Sequence, residues 1–389
     1  MRFAIIGQLA EAGLLADSIC AATDHQVGPC CVAGRLAEAL ADRGITFSLV
    51  ASPEEAIIDA GVDVVVVADA DVDASMSLAR QASQADCHVI VIPPDEVSTA
   101  YSFELHLLLD ESQFGVIPLT GRWYVPSDTG SACEVGGNIQ QLSMELPLTD
   151  DDSELDRWQL RAVDALCSFG FEYSRVTALD VPGADGRLLS RSVTLAASDA
   201  SDVHVPPGIL TFRKGSPLQV FTSSGDEKGS GAVSDAQLLI TRSSGEERRI
   251  VTALPDPAGS TSPSEDSALA ARLADHLADT NECQRHMEQF SNTLEMTAGL
   301  KKSLRRRRTV DVYFDGISER SAFKTQMTAM GCGVLTYVIF GMVAFLIMAK
   351  LTDLPPLILQ LARIVWVAPV VLFLLAQFLL PLARERRKD

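Results

Sequence analysis

Basic residues are scarce in this chain: 32 Lys and Arg stand against 51 Asp and Glu, for a formal net charge of −19. The deficit is deepest before residue 327, where 26 basic and 48 acidic side chains leave a net of −22. Such a surface repels phosphate backbones and anionic headgroups, which argues against a nucleic-acid partner. The eight cysteines (20, 30, 31, 87, 133, 167, 283 and 332) include no C-x-x-C pair and show no metal-ligand spacing with the six scattered histidines. Reduced, mostly buried thiols and no bound metal are therefore expected, with Cys30 and Cys31 as core residues. Met1 to Gly7 is too short and too uncharged for a secretory signal, so the N-terminal part is expected to stay in the cytoplasm. There is no internal repeat.

Long apolar runs are confined to one end. Gly331 to Met348 and Ile364 to Leu382 carry no charge. A nineteen-residue helix reaches ~28 Å, close to the ~30 Å of hydrocarbon in a bilayer. The runs predict a transmembrane hairpin. Arg320 and Lys324 on one flank, and Arg384, Arg386, Arg387 and Lys388 on the other, place both termini in the cytoplasm at an inner membrane. The lipid bilayer is thus an expected partner. Trp366 and Tyr337 are too few for an aromatic belt, and no G-x-x-x-G pair supports self-association. With no ionisable residue inside either run, anchoring is the simpler role than transport.

Before that segment, 326 residues exceed one ordinary core, and the texture divides them in two. The N-terminal domain, residues 1–121, alternates β-rich runs (Phe3 to Gly7, Gly28 to Ala33, Thr46 to Val50, Val62 to Ala68, His88 to Ile92, Phe114 to Leu119) with amphipathic segments such as Leu36 to Arg43, Glu54 to Ala60 and Val72 to Ala85. Val62 to Ala68 is almost wholly apolar, as a strand covered on both faces must be. The alternation predicts a Rossmann-like, doubly wound parallel sheet in an α/β fold.

The second domain, residues 122–314, reads as α+β. An acidic loop at Thr149 to Asp152 leads into a helix over Ser153 to Phe169, then strand-like runs around Val176, Val193, Leu210, Val220, Leu238 and Ile250. An open, mostly antiparallel sheet is expected. Pro255 to Ser264 is a loop by composition, Glu265 to Arg308 a long helical stretch, and Thr309 to Phe314 a last strand. Residues 315–326 form a juxtamembrane linker, and 327–389 the hairpin. Lys301, Lys302 and Arg305 to Arg308 suit a helix C-terminus and, equally, anionic lipid nearby.

A phosphate-cradling Rossmann turn needs glycines between first strand and first helix. Here the G-x-G-x-x-G register reads Gly7-Gln8-Leu9-Ala10-Glu11-Ala12. Gly7 is in place and Ala12 is tolerable, but Leu9 stands where backbone should approach phosphate, and Glu11 adds a like charge. After the second strand, Gly34 replaces the acid that grips a ribose hydroxyl, and Arg35 beside it suits a 2′-phosphate or is an ordinary surface arginine. NAD or NADP is conceivable through Gly7, Ala12 and Arg35.

Several strings in order resemble the glucose-fructose oxidoreductase and inositol dehydrogenase family (Gfo/Idh/MocA): Ala51-Ser52-Pro53-Glu54-Glu55 with Gly61 to Ala68, Ala85 to Val91, Gly121 to Pro126, Gly136 to Ile139, and Lys302 to Val310. The resemblance covers residues 1 to 314 and implies hydride transfer between a sugar-like alcohol and a nicotinamide, with a lysine and a histidine handling the proton. The lysine of the family's Glu-Lys-Pro corresponds to Pro93 in Ile92-Pro93-Pro94, and the histidine three residues before an aspartate to Arg161 before Asp164. Neither an imino acid nor a permanent guanidinium transfers protons.

The resulting expectation is a membrane-anchored oxidoreductase-fold protein with a degenerate site, binding a small polyol or sugar, or a membrane-associated protein, with at most weak nucleotide affinity. The alternatives are an active NAD(P)-dependent oxidoreductase of a sugar or cyclitol, and a purely structural membrane-associated protein. Rewired chemistry would draw on Arg122, Tyr124, Asp95, Asp164 or His106, with Arg122 the first choice for ligand contact where the two domains meet.

Overall fold

The computed structural model describes residues 1–59, 61–125, 139–184, 186–197, 205–214, 236–242, 245, 247–252, 268–314 and 340–341. The chain divides into two compact units, Met1–Phe314 and Asp315–Asp389, and both sheets lie in the first.

The N-terminal elements run β1 (Arg2–Gly7), α1 (Ala12–Ala21), β2 (Gln26–Val32), α2 (Gly34–Asp42), β3 (Ser48–Leu49), α3 (Pro53–Ile58), β4 (Val64–Ala68), α4 (Val72–Gln84), β5 (His88–Val91), α5 (Thr99–Glu111) and β6 (Val116–Pro118). The strands pair in parallel in the order β3-β2-β1-β4-β5-β6, the doubly wound arrangement the alternation predicts. Every residue of β4 is buried, and each of its four valines contributes roughly 2 kcal/mol through its removal from water. Helix starts follow local chemistry: the Ser52 side chain accepts from the Glu55 amide at α3, and Asp71 Oδ1 accepts from Ala74 N at 2.8 Å at α4. β3 is shorter than Thr46 to Val50 because it is the sheet edge, with both residues exposed.

A 3-10 turn at Gly121–Tyr124 leads to β7 (Ile139–Pro147), α6 (Asp152–Cys167), β8 (Arg175–Pro182), β9 (Leu188–Ala196), β10 (Gly208–Arg213), β11 (Ala236–Arg242), β12 (Glu247–Thr252), α7 (Ala268–Leu277), α8 (Thr280–Arg306) and β13 (Val310–Asp311). The second sheet has the order β12-β11-β7-β10-β9-β8-β13. It is mixed rather than purely antiparallel, because β10 pairs with β7 in parallel.

Two apolar cores result. Trp123 belongs to the first and Val125 to the second, so the chain crosses between them within the segment 123–125. The helices after residue 268 do not belong wholly to the second core. Leu269, Leu273, Phe290 and Leu294 pack with the first sheet's core, and only from Met296 does α8 enter the other. The long helical stretch expected over 265–308 divides at Asp279, whose extended backbone (φ −112°, ψ 111°) and side-chain bond from Asn281 N at 2.9 Å start a new helix.

The apolar runs at 331–348 and 364–382, the linker 315–326, the strand near Val220 and the loop 255–264 lie outside the described residues, apart from 340–341. Among the described residues no helix is long and apolar enough to cross a membrane. The six described cysteines are free: Cys30, Cys87 and Cys283 are buried, Cys31 and Cys167 half-buried, and Cys20 exposed. Burial pushes the Cys30 and Cys283 thiols up to about 11 and Cys167 to about 12, which keeps them protonated and unreactive.

Candidate functional site

β1 and β4 are neighbours although five elements separate them in sequence, and a doubly wound sheet holds its ligand at the C-terminal ends of such a pair. Gly7 closes β1 in register with Val32 and Ala68. Its φ is +127°, and a Cβ there would lie 2.2 Å from the Ala68 carbonyl oxygen. This glycine is therefore required by the crossing over β4 alone, before any phosphate is considered. Gln8 N and Leu9 N donate to Ala68 O at 2.8 and 2.9 Å, and Ala12 N and Gly13 N donate to Leu9 O and Ala10 O at 3.2 and 2.9 Å. Leu9 and Ala12 are buried. The turn that would cradle a pyrophosphate is thus braced largely by its own backbone.

Glu11 precedes α1 and is 2% exposed. Its Oε1 accepts from Arg161 Nη2, and from Arg157 Nη1 at 3.3 Å. Both arginines stand on α6, one turn apart, so a helix that packs largely in the second core supplies the counter-charges for the head of the first helix. Arg157 also lies 3.1 Å from Asp95, just beyond β5. Burial raises the Asp95 carboxyl, Arg157 lowers it and Glu11 raises it again, with a net shift upward. Pro93 and Pro94 are buried at the end of β5.

Arg122 and Asp164, candidates for ligand contact and for rewired chemistry, are engaged with each other. Asp164 is fully buried and accepts from Thr120 Oγ1 at 2.5 Å, from Arg122 N and Nε at 2.8 and 3.0 Å, and from Thr293 Oγ1 at 3.0 Å. Burial alone would raise its pKa, but the Arg122 charge and these hydrogen bonds outweigh it and hold the carboxyl below its ordinary range. Arg122 donates further to Gln289 Oε1. The Arg122–Asp164 pair joins the crossover turn, α6 and α8 as a structural hub. Gly121 is part of this joint, since a Cβ on it would meet the Arg161 carbonyl oxygen at 1.8 Å. Burial raises the Tyr124 phenol, which stays protonated. His106 sits on α5 and lines none of the cavities described here.

Two cavities flank the Arg157–Asp95 pair. One, of about 280 Å³, runs along Gln8, Leu9, Ala10, Gly34 and Arg35 to Arg157. Arg35 borders it, and Gly7 and Ala12 are not among the residues that line it. The exposed Arg35 guanidinium and the φ of +56° at Gly34 fit the ribose-phosphate end of a dinucleotide. The pyrophosphate end fits less well, because Leu9 and the Glu11 carboxylate stand at the turn. The other cavity, of about 210 Å³, is lined by Pro94, Asp95, Ser98, Arg157, Thr297 and Lys301, a polar set suited to a hydroxylated or anionic small molecule. Sequence reasoning missed Arg157 and its two acidic partners as a unit; the i, i+4 spacing of Arg157 and Arg161 on an inward helix face was the available signal.

No family model and no curated protein matches the sequence. Solved structures do match in fold. A myo-inositol dehydrogenase from Corynebacterium glutamicum superposes with a TM-score of 0.57 at 18% identity, over 80% of this chain and 99% of that one. A scyllo-inositol dehydrogenase from Lactobacillus casei, solved with NAD(H) and scyllo-inositol bound, gives 0.54 at 13% identity over 80% and 98%. About four fifths of the chain therefore shares the fold of these two dehydrogenases, as the motif order implies.

Proposed function

We propose that this chain is an oxidoreductase-fold binding protein whose two cavities beside the Arg157–Asp95 pair take a small polyol-like or nucleotide ligand, without the proton relay of the Gfo/Idh/MocA enzymes. The observation that carries this reading is the pairing of Arg161 with Glu11. The side chain standing where the family has its histidine is a buried cation held by a carboxylate at the phosphate turn, while Pro93 stands where the lysine would be. Neither position can give or take a proton at neutral pH. The groove beside Gly34 and Arg35 still offers room and positive charge for a nucleotide phosphate.

A second reading is an NAD(P)-dependent oxidoreductase of a sugar or cyclitol. The comparisons by themselves favour it, since the matching folds are dehydrogenases and one of them was solved with NAD(H) and scyllo-inositol. One experiment separates the two. The purified chain is titrated with NADH and NADPH by cofactor fluorescence, then offered inositols and other polyols with the oxidised cofactors. Binding without reduction supports the first reading; turnover supports the second; no binding of cofactor or polyol at millimolar concentration removes both and leaves a purely structural role.

The C-terminal runs support a membrane hairpin on sequence pattern alone, with both ends cytoplasmic. Alkaline carbonate extraction of membranes tests it: an anchored chain stays with the lipid, and release into the supernatant rejects the hairpin.

A further inference from the structure

The corner between α7 and α8 gathers three side chains that have no part in the cleft. His276 lies in the last turn of α7, Glu282 in the first turn of α8, and His286 one turn further on the same face. His276 Nδ1 is 3.0 Å from Glu282 Oε2 and 3.2 Å from His286 Nε2, and the last two atoms are 3.9 Å apart. Bonds of 2.0–2.1 Å in a tetrahedral zinc site place ligand atoms about 3.3 Å from one another. The triangle formed here has that size.

Hydrogen bonds alone serve this triangle poorly. If His276 Nδ1 carries a proton toward the carboxylate, His286 Nε2 faces an N–H already committed to another acceptor. If the proton is on His286 Nε2, the lone pairs of His276 Nδ1 and Glu282 Oε2 oppose each other at 3.0 Å. A single proton on His276 Nδ1 reaches both acceptors only as a bent three-centre hydrogen bond, whereas a central cation satisfies all three lone pairs. The ring of Trp123 backs the site, with its centroid 4.6 Å from that of His286 and 5.3 Å from that of His276. His276 and Glu282 are partly exposed, which leaves a water or a fourth ligand access from outside. Arg285 also contacts Glu282 Oε2, but an exposed pair of this kind is worth no more than about 1 kcal/mol and yields to a metal.

The geometry points to a divalent transition-metal site, with two imidazoles and one carboxylate as ligands and an open fourth position, a donor set suited to Zn²⁺. The ion would fasten α7 to α8 and, through Trp123, to the turn joining the two cores.

Calorimetric titration of metal-free full-length protein with Zn²⁺ tests the site. One equivalent is expected to bind with micromolar or tighter affinity, and His276→Ala or Glu282→Gln should each weaken it at least about 100-fold, the loss of one of three bonds. Co²⁺ in place of Zn²⁺ should give the intense visible bands of tetrahedral coordination. Both substituted side chains are partly exposed, so circular dichroism should show the variants folded; His286→Ala, at a buried position, is not required. Absence of binding, binding unaffected by both variants, or an octahedral Co²⁺ spectrum would overturn the assignment.

Discussion

Glu11 and Arg161, 150 residues apart, form a buried ion pair that joins the head of the first Rossmann helix to the middle of α6, which packs largely in the second core. Removing one member leaves the other charged and desolvated, a loss of about 3–5 kcal/mol. Glu11→Ala is accordingly expected to lower the unfolding free energy by about 3 kcal/mol in urea titrations. The double variant Glu11→Leu/Arg161→Met should recover most of that loss, because no isolated charge remains. Equal destabilisation in both variants would show that packing, not charge, decides the site.

Asp164 predicts a pH dependence. An unfolded aspartate ionises near pH 3.9, and in the fold the carboxyl is held lower because Arg122 and its hydrogen bonds outweigh burial. Between the folded and unfolded values the unfolded chain binds more protons, so stability rises with pH through that window. The contribution is complete above about pH 5 and is lost as the pH falls through the folded value. Asp164→Asn should therefore cost about 3 kcal/mol at neutral pH by stranding Arg122, and should flatten the acid limb of a stability curve measured by thermal melts.

Gly121 tests how tightly the two cores are joined. With a carbonyl oxygen 1.8 Å from the ideal Cβ position, an alanine must displace the backbone of α6 or of the turn. Gly121→Ala is expected to destabilise by about 3 kcal/mol, visible as a lower urea midpoint. Gly170→Ala serves as the contrast: nothing lies within 4 Å of its Cβ position, and only the strain of φ +78° opposes it.

How much of this was legible in the sequence depends on the distance over which each signal acts. The strands of the first sheet announce themselves through runs such as Val64 to Val67, whose burial on both faces demands apolar residues throughout. The break at Asp279 was readable too, since Asp279 followed by Glu282 three residues later is a helix-start pattern, yet the apolar periodicity on both sides masked it. Arg161 was read as an isolated departure from a catalytic pattern. The fold shows that it and Glu11 are complementary, which one sequence cannot reveal because nothing local links positions 150 residues apart. Arg122 was expected to meet a ligand for the sound reason that it lies between domains. Its charge is instead neutralised by Asp164, buried beside it.

That complementarity sets the order in which function can be changed. Replacing Pro93 by Lys and Arg161 by His restores the family's proton-transfer groups on paper, but the second change also removes the partner of Glu11, and a carboxylate with fewer counter-charges then faces the phosphate turn. The double variant is expected to show weaker NADH binding than the parent and no turnover of inositols. Glu11→Gln alone acts in the opposite sense. It removes one of the two carboxylate counter-charges of Arg157, which borders the groove beside Arg35 and keeps Asp95 as a partner, and should tighten NADPH binding about tenfold, equivalent to about 1.4 kcal/mol, while lowering stability. Fluorescence titration and urea unfolding of the same preparations measure both effects. If Glu11→Gln leaves nucleotide affinity unchanged while stability falls, the pair is a brace between α1 and α6 and has no influence on the groove.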